Sequence, residues 1–284
     1  MPPFELVAPE SEAEALAELA RPDRGSVAVL AGGTDLLLDL DDGRWSPRRV
    51  LSLRHLPWRS HAWRDGGLTV GATEPLRTLE ADPLLASRLP ALAQGLAAVG
   101  GPALRRQATV GGNLGRAAPA SDLLPVLLAL DAEVELLGPE GVRWLGVDAF
   151  LRASRETARR PGELIRSMRV PEARPVSAYL WQRVRPANDI SQVGVAVALG
   201  AADARWRVAL GGVPPRAVLV PNAAGELRGP RPSEVEVTAA GERLAAAPAL
   251  VGDRRATDQH RRRLASVLLG RAVALAVRGA AEGR

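Results

Sequence analysis

The stretch VAVLAGGTDLLLDL, residues 27 to 40, constrains the fold more than any other part of the chain. An apolar, β-branched run ends at Ala31-Gly32-Gly33, and a leucine-rich segment follows Thr34 and Asp35. The pattern predicts a buried strand, a tight glycine turn and the start of a helix. Glycine at such a turn reaches φ > 0, and without a Cβ it lets backbone N–H groups approach an anion. The helix start adds partial positive charge, and the Thr34 hydroxyl is a further donor. Asp35 would repel a phosphate, so it is expected to satisfy backbone amides or to lie in the first helical turn, where the dipole favours it. The motif is neither G-x-x-x-x-G-K-[ST] nor G-x-G-x-x-G, so on its own it reads first as a purely structural turn.

Around this unit the chain alternates strand and helix signals. FELVAP reads as a strand, and Ser11 with Glu14 makes a capping box before a helix to Ala20. RRVLSL, from Arg48, is a second buried strand, and RDGGLTVGAT turns at Asp65-Gly66-Gly67 into another. Thr73 is the expected cap of a first turn that tolerates Pro75. The alanine–leucine pattern predicts a helix over 84–99, followed by an irregular, glycine-rich stretch, GGPALRRQATVGGNLGRAAPASDLL. Ser121 is the expected cap of the helix DLLPVLLAL, and AEVELLGPEGVRWLGV reads as a hairpin. The arginine-rich stretch from Arg152 to Arg160 is read as a domain junction. SAYLWQRVR, VGVAVALGAAD and RWRVALGGV then predict an antiparallel sheet, and an amphipathic helix over 258–280 ends the chain. The expected class is α+β with two domains, residues 1–170 and a smaller one over 171–284.

Composition removes several functions. Across 284 residues there is no cysteine, hence no disulfide, no thiolate chemistry and no cysteine-ligated iron–sulfur cluster in this chain. Only His55, His61 and His260 are present, and their spacing suggests no metal site. All 37 basic residues are arginine, but 32 acids are interspersed and the formal net charge is only +5. With 3% aromatics and one dense basic run, Arg261-Arg262-Arg263 on an expected helix face, no nucleic-acid surface is expected. No signal-peptide pattern is visible, and no apolar stretch is expected to reach the roughly 18 residues that span a bilayer, so a cytoplasmic protein is expected.

A second glycine turn, Thr109-Val110-Gly111-Gly112-Asn113-Leu114-Gly115, offers another run of approachable amides, and Asp122 follows at a helix start. Two anion-friendly loops and an acid able to bind a sugar hydroxyl suit a ligand with two phosphates and a polyol, such as a dinucleotide. Two structural turns remain the alternative.

AGGTDLL, TVGGNLGRAAPASDLLPVLLALDAEVEL, PGELI and the pattern Asn188-Asp189-Ile190-Ser191-x-Val193 occur in that order. Together with DRRATDQHRRRLASVLLGRAV near the end, they resemble the FAD-binding subunit of the molybdenum hydroxylases, the family of xanthine and carbon monoxide dehydrogenases. The resemblance implies a two-lobed FAD-binding domain of the vanillyl-alcohol-oxidase (PCMH) type, then a smaller domain of antiparallel sheet and helices. Carried over by motif, Val29, Leu30, Ala31, Gly32, Gly33, Thr34, Asp35 and Leu36 would wrap the pyrophosphate of a non-covalent FAD. Thr109, Val110, Gly111, Gly112 and Asn113 would form the second wall. Asp122 would bind the ribityl chain or a nearby polar edge, and Ile165 of PGELI would pack near the flavin or adenine. Two departures stand out. Where some relatives carry a lysine, Ala178-Tyr179 is followed by Leu180-Trp181-Gln182-Arg183, and guanidinium is not interchangeable with ammonium. Val99 and Ile190 occupy the regions where other relatives cover the isoalloxazine with an aromatic, leaving Tyr179 and Trp181 as candidates.

The resemblance further implies partners: a large subunit holding molybdopterin and a small subunit holding two [2Fe–2S] clusters, with electrons reaching FAD here and leaving to NAD or another acceptor. No catalytic residue of the chain's own is expected, since the cofactor carries the chemistry. Two rivals are a free-standing FAD-dependent oxidoreductase and a non-enzymatic nucleotide-binding or nucleic-acid-binding module.

Overall fold

The structure, a computed structural model, describes residues 3–21, 26–185 and 189–282, so Asn188 of the motif lies outside the described residues. The chain begins with β1 (Glu5–Val7), α1 (Glu12–Ala20), β2 (Val27–Leu30), α2 (Leu36–Asp41) and β3 (Arg49–Ser52). The three strands form a parallel sheet in the order β1-β3-β2. Ser11 caps α1, its Oγ accepting from the Glu14 amide at 3.2 Å, while the Glu14 carboxylate reaches the Glu10 amide instead of that of Ser11. Arg49 on the central strand is buried and donates to the Glu18 carbonyl at 3.0 Å and its carboxylate at 2.8 Å, which ties α1 to the sheet.

The second lobe runs through β4 (His61–Arg64), β5 (Gly67–Gly71), α3 (Leu76–Glu80), α4 (Leu85–Arg88), α5 (Pro90–Ala98), α6 (Pro102–Arg105), α7 (Val110–Arg116) and α8 (Leu123–Ala129). It continues with β6 (Glu133–Gly138), β7 (Gly141–Gly146), α9 (Val147–Phe150), β8 (Leu151–Ala153), β9 (Glu156–Thr157) and β10 (Leu164–Pro171). Five strands make an antiparallel sheet in the order β4-β5-β10-β6-β7. Asp65 and Gly66, with φ of 51° and 70°, form the two-residue turn between β4 and β5, and β4 itself is an addition to the expected elements.

Four local expectations are corrected. The single helix expected over 84–99 breaks into α4 and α5, because Pro90 lacks an N–H and pushes Leu89 off helical geometry. Thr73 caps nothing: Pro75 is the N-cap of α3, and the Thr73 hydroxyl is buried with no hydrogen-bond partner among the described residues. The glycine-rich stretch expected to be irregular is helical over α6 and α7. The Arg152–Arg160 stretch is no junction, since it folds as the β8–β9 hairpin and β10 then returns between β5 and β6.

Beyond β10, β11 (Val176–Gln182), β12 (Val193–Leu199), β13 (Trp206–Gly211) and β14 (Val218–Leu219) form an antiparallel sheet in sequence order. They are followed by α10 (Pro221–Ala224), α11 (Glu234–Ala245) and α12 (Asp258–Glu282). Strand β12 is buried at every position, because α5 and α8 cover one face of this sheet and α12 covers the other. Apolar on all sides, α8 is buried along its whole length, packed on the C-terminal sheet and against α5 and α9.

The last helix also corrects an expectation. Its 25 residues include an eighteen-residue window of mean hydropathy 1.6, long and apolar enough to cross a bilayer by composition. One face of it is buried, a third of the window, where Ala265, Leu268, Leu269, Ala272 and Val273 pack on β11 and β12.

Arg261 of α12 is fully buried, its Nη1 donating to the Gly212 carbonyl at 2.6 Å and its Nη2 lying 2.7 Å from Asp253 Oδ1. Burial pushes the Asp253 carboxyl up, but the Arg255 amide and the Arg261 guanidinium overcome it and hold the pKa at about 2. A depressed carboxyl stabilises the fold above its unfolded pKa, near 4, and loses that contribution as pH falls through the folded value. Between pH 4 and 2 the chain is expected to lose on the order of 1–2 kcal/mol of stability through this group. Asp253→Asn removes that increment, as urea titrations of both proteins across the same range would measure.

Candidate functional site

Val29 and Leu30 end β2, residues 31 to 35 turn, and Leu36 opens α2. Gly33 has φ of 76°, the left-handed geometry that a glycine adopts without strain. Among the described residues, none of the amides of residues 31 to 35 donates a hydrogen bond. Five consecutive donors without a partner, ahead of a helix N-terminus, form a cradle of partial positive charge. Asp35 occupies the N-cap position of α2 but caps no amide; its Oδ1 faces Arg116 Nε at 3.3 Å.

The second glycine run lies against this turn. A Cβ on Gly32 would stand 1.9 Å from the Gln107 carbonyl oxygen, so only glycine lets the turn run along the backbone that leads into α7. Arg116, at the far end of α7, closes the clasp with Nη1 at 2.5 Å from Asp39 Oδ2 of α2. That hydrogen bond, outweighing the cost of burial, holds the Asp39 carboxyl below the usual carboxylate range.

The amides of the second run are already committed. Thr109 is the N-cap of α7, its hydroxyl accepting from the Gly112 amide at 3.1 Å. Val110 donates to the Glu74 carbonyl, Gly111 to the Ala72 carbonyl and Asn113 to the Thr109 carbonyl. Gly111 is there for packing, since a Cβ would lie 2.6 Å from that of Ala72. This run therefore presents surface and side chains rather than open donors. The Asn113 carboxamide is held by the Ser121 hydroxyl at 2.8 Å, which fixes its orientation. Ser121 also accepts from the Leu123 amide, while the N-cap position of α8 belongs to Asp122, one residue later than expected.

Asp122 is buried, and both its oxygens are engaged. Oδ1 accepts from the Tyr179 hydroxyl at 2.7 Å and the Ser191 hydroxyl at 2.5 Å, and Oδ2 accepts from Arg183 Nη2 at 2.8 Å. Arg183 also donates to the Ala98 carbonyl at the end of α5. Burial first, then the neighbouring carboxylate, pushes the Tyr179 phenol well up, so it stays protonated and donates. Tyr179 is a core aromatic stacked on Trp181 with ring centroids 5.5 Å apart, and Arg183 lies over the Trp181 ring. Ile165 is buried on β10 beside α7, with its Cδ1 3.4 Å from where a Gly115 Cβ would be. Val99 is half-buried and Ile190 is 48% exposed.

The structure thus brings residues 29–36 and 109–113 together, sets Ile165 behind α7, and ties Asp122 to the C-terminal sheet. A row of open amides, with no room for a Cβ at Gly32, fits the pyrophosphate of a dinucleotide such as FAD. Gln107, Arg116, Ser121 and Ser191 complete the arrangement beyond the motif residues. Of these, Arg116 had a signal in the sequence: Asp35 and Asp39 are spaced i, i+4, so both can face one guanidinium.

Residues 2–173 match the model of the FAD binding domain in molybdopterin dehydrogenase, and residues 178–276 match that of the CO dehydrogenase flavoprotein C-terminal domain. The chain is 30% identical to the carbon monoxide dehydrogenase medium chain of Hydrogenophaga pseudoflava over 224 residues, 76% of this chain and 77% of that one. It is 28% identical to the xanthine dehydrogenase FAD-binding subunit of Escherichia coli O157:H7, over 61% of each protein. Among solved structures, it superposes on a chain of carbon monoxide dehydrogenase from Hydrogenophaga pseudoflava with a TM-score of 0.89 at 26% identity, covering 98% of this chain and 99% of that chain. Quinoline 2-oxidoreductase from Pseudomonas putida 86 gives a TM-score of 0.89 at 27% identity, with 98% of both chains covered.

Gly32→Ala is expected to force the turn away from Gln107 and to lower FAD retention at least about tenfold, the cost of one or two charge-assisted hydrogen bonds. Gly146→Ala, where a Cβ meets open space, should leave retention unchanged. The ratio of flavin to protein absorbance after gel filtration measures both. Arg183→Met strands the buried Asp122 carboxylate and is expected to cost about 3 kcal/mol of stability, read by denaturant titration at pH 7.

Proposed function

Because the chain belongs to the family of FAD-binding subunits of the molybdenum hydroxylases, we propose that it carries electrons from iron–sulfur clusters on a small partner subunit to NAD or another acceptor. A large partner subunit would hold the molybdopterin centre at which substrate is oxidised, in a cytoplasmic assembly. Residues 1–170 are read as the FAD-binding domain and 171–284 as the domain that braces it. The observation that carries the reading is the row of unpartnered amides over residues 31 to 35, packed against the Gln107 backbone.

Bound FAD would supply the exchange between two-electron and one-electron transfer that such a relay needs. Ala31 to Asp35 would donate backbone N–H groups to the pyrophosphate, with the Thr34 hydroxyl in reach of the same anion. Val29, Leu30 and Leu36 would hold this turn in place from β2 and α2. Val110, Gly111 and Gly112 would line the opposite wall with backbone surface, and Thr109 would keep that wall helical. Asn113, held by Ser121, would offer its remaining amide hydrogens to a polar edge of the ligand. Asp122 accepts three hydrogen bonds from the C-terminal side, so its proposed part at the ribityl chain is to orient the wall while sharing an oxygen. Ile165, beside Gly115, would give the apolar contact to the flavin or adenine. With no cysteine, the chain ligates no cluster of its own, which suits a relay whose iron–sulfur centres lie on another subunit.

Purification of the tagged chain from its native promoter, with partners untagged, tests the reading. Flavin bands over a broad iron–sulfur absorption are expected, with a cysteine-rich and a large subunit co-eluting. A flavin spectrum on a lone chain would refute the partners, and a chain that stays colourless when FAD is added would refute the cofactor.

A further inference from the structure

A cavity of about 690 Å³ opens in the C-terminal part of the chain, at the end of the sheet where β11 begins and β13 starts. Asp122, Arg183 and Ser191 gather at the opposite end of the same strands. Val176 pairs with Leu199 at the cavity end and Gln182 with Val193 at the other, a separation of roughly 20 Å at the rise of a β-strand. The cavity is therefore a second site, independent of the flavin reading.

Its wall carries Arg174, Arg205, Arg207 and Arg228, and its floor is apolar, with Leu219 and Leu227 among the lining. Against four guanidinium groups stand Asp203 in the wall, Asp131 behind it and Glu236 beside Arg228. Arg174 has a side chain only 9% exposed. Its Nη1 donates to the Arg205 carbonyl at 3.0 Å, and its Nη2 lies 3.4 Å from Asp131 and 3.6 Å from Asp203. Its Nε is buried with no hydrogen-bond partner among the described residues. Arg207 donates to the Leu128 carbonyl at 3.1 Å and pairs with Asp131 at 3.0 Å. Burial lowers the Arg207 pKa; Asp131 opposes that shift and Arg174 adds to it. Toward the mouth, the Arg205 side chain has no ion pair or hydrogen bond among the described residues. The Arg228 Nε has its nearest carboxylate, Glu236, 4.0 Å away.

We infer that this cavity binds a small organic anion, a carboxylate or phosphate ester carried on an apolar body. The Arg205 guanidinium, with no ion pair among the described residues, and the largely exposed Arg228 guanidinium, held to Glu236 only at 4.0 Å, match the oxygens of such a head group, which planar guanidinium forks bind in pairs. The volume is that of a small-molecule pocket, and the leucine floor gives the remainder of the ligand a surface to leave water for. Nucleic acid would need a surface row of cations, whereas these converge on a concavity.

The test is isothermal titration of the FAD-loaded protein with phenyl phosphate and benzoate, with inorganic phosphate as the comparator. One equivalent of phenyl phosphate or benzoate is expected to bind more tightly than inorganic phosphate, and the tighter of the two identifies the head group. The double variant Arg205→Gln, Arg228→Gln changes exposed side chains, so its melting temperature and flavin absorbance should match those of the parent. Its affinity for the aromatic anion should fall by about tenfold or more. Absence of binding at millimolar probe, or equal binding by the double variant, would overturn the proposal. Inorganic phosphate binding as tightly as phenyl phosphate would overturn the apolar body.

Discussion

The backbone contact between Gly32 and the Gln107 carbonyl governs the rest of the arrangement, because it sets how close the two lobes' loops can come. With any side chain at Gly32, the turn after β2 would stand off from the backbone that leads into α7, and the open amides of residues 31 to 35 would face a gap instead of a wall. The contact is held from a second direction by Arg116, which bridges Asp35 and Asp39 across the same seam. Neither element alone makes a site. In the proposed site the turn after β2 provides the donors, and the helix of the second lobe provides the surface opposite them.

The C-terminal sheet is bound to this seam by charge as well as by packing. Asp122 sits at the start of α8, the buried helix that packs on the C-terminal sheet, and its carboxylate accepts three hydrogen bonds from Tyr179, Arg183 and Ser191 on or beside β11 and β12. A buried acid–base pair contributes little over an apolar substitute, but losing one partner is costly, so the pair enforces one docking geometry more than it adds stability. Arg183 cannot also present an open charge to a ligand while it serves Asp122 and the Ala98 carbonyl. At the position where some relatives carry a lysine, Arg183 is by its geometry a brace.

Much of this was legible in the chain itself. The strand ending at Ala31, the Ser11 cap, the Gly-Pro-Glu-Gly hairpin and the consecutive strands after residue 175 follow from periodicity and turn chemistry. The helix over 110–116 was not, because three glycines in seven residues oppose a helix locally and only tertiary contact favours it. Gly111 must be small for Ala72, and the Thr109 cap offsets part of the glycine cost. The same contact explains why the second run carries no open amides, although its composition matched the first. The buried network around Asp122 joins positions 57 to 69 residues apart, a distance at which sequence pattern holds no information about pairing. Hydropathy of the last helix misleads in the opposite direction, since a core helix and a membrane span share that signal.

Amide hydrogen exchange of the isolated chain, measured residue by residue with and without FAD, tests the central claim most directly. Residues 31 to 35 should exchange fast in the free chain and gain strong protection with FAD, while residues 110 to 113 should be protected already and change little. Protection appearing at 110 to 113 with none at 31 to 35 would contradict the account and move the phosphate to the other loop.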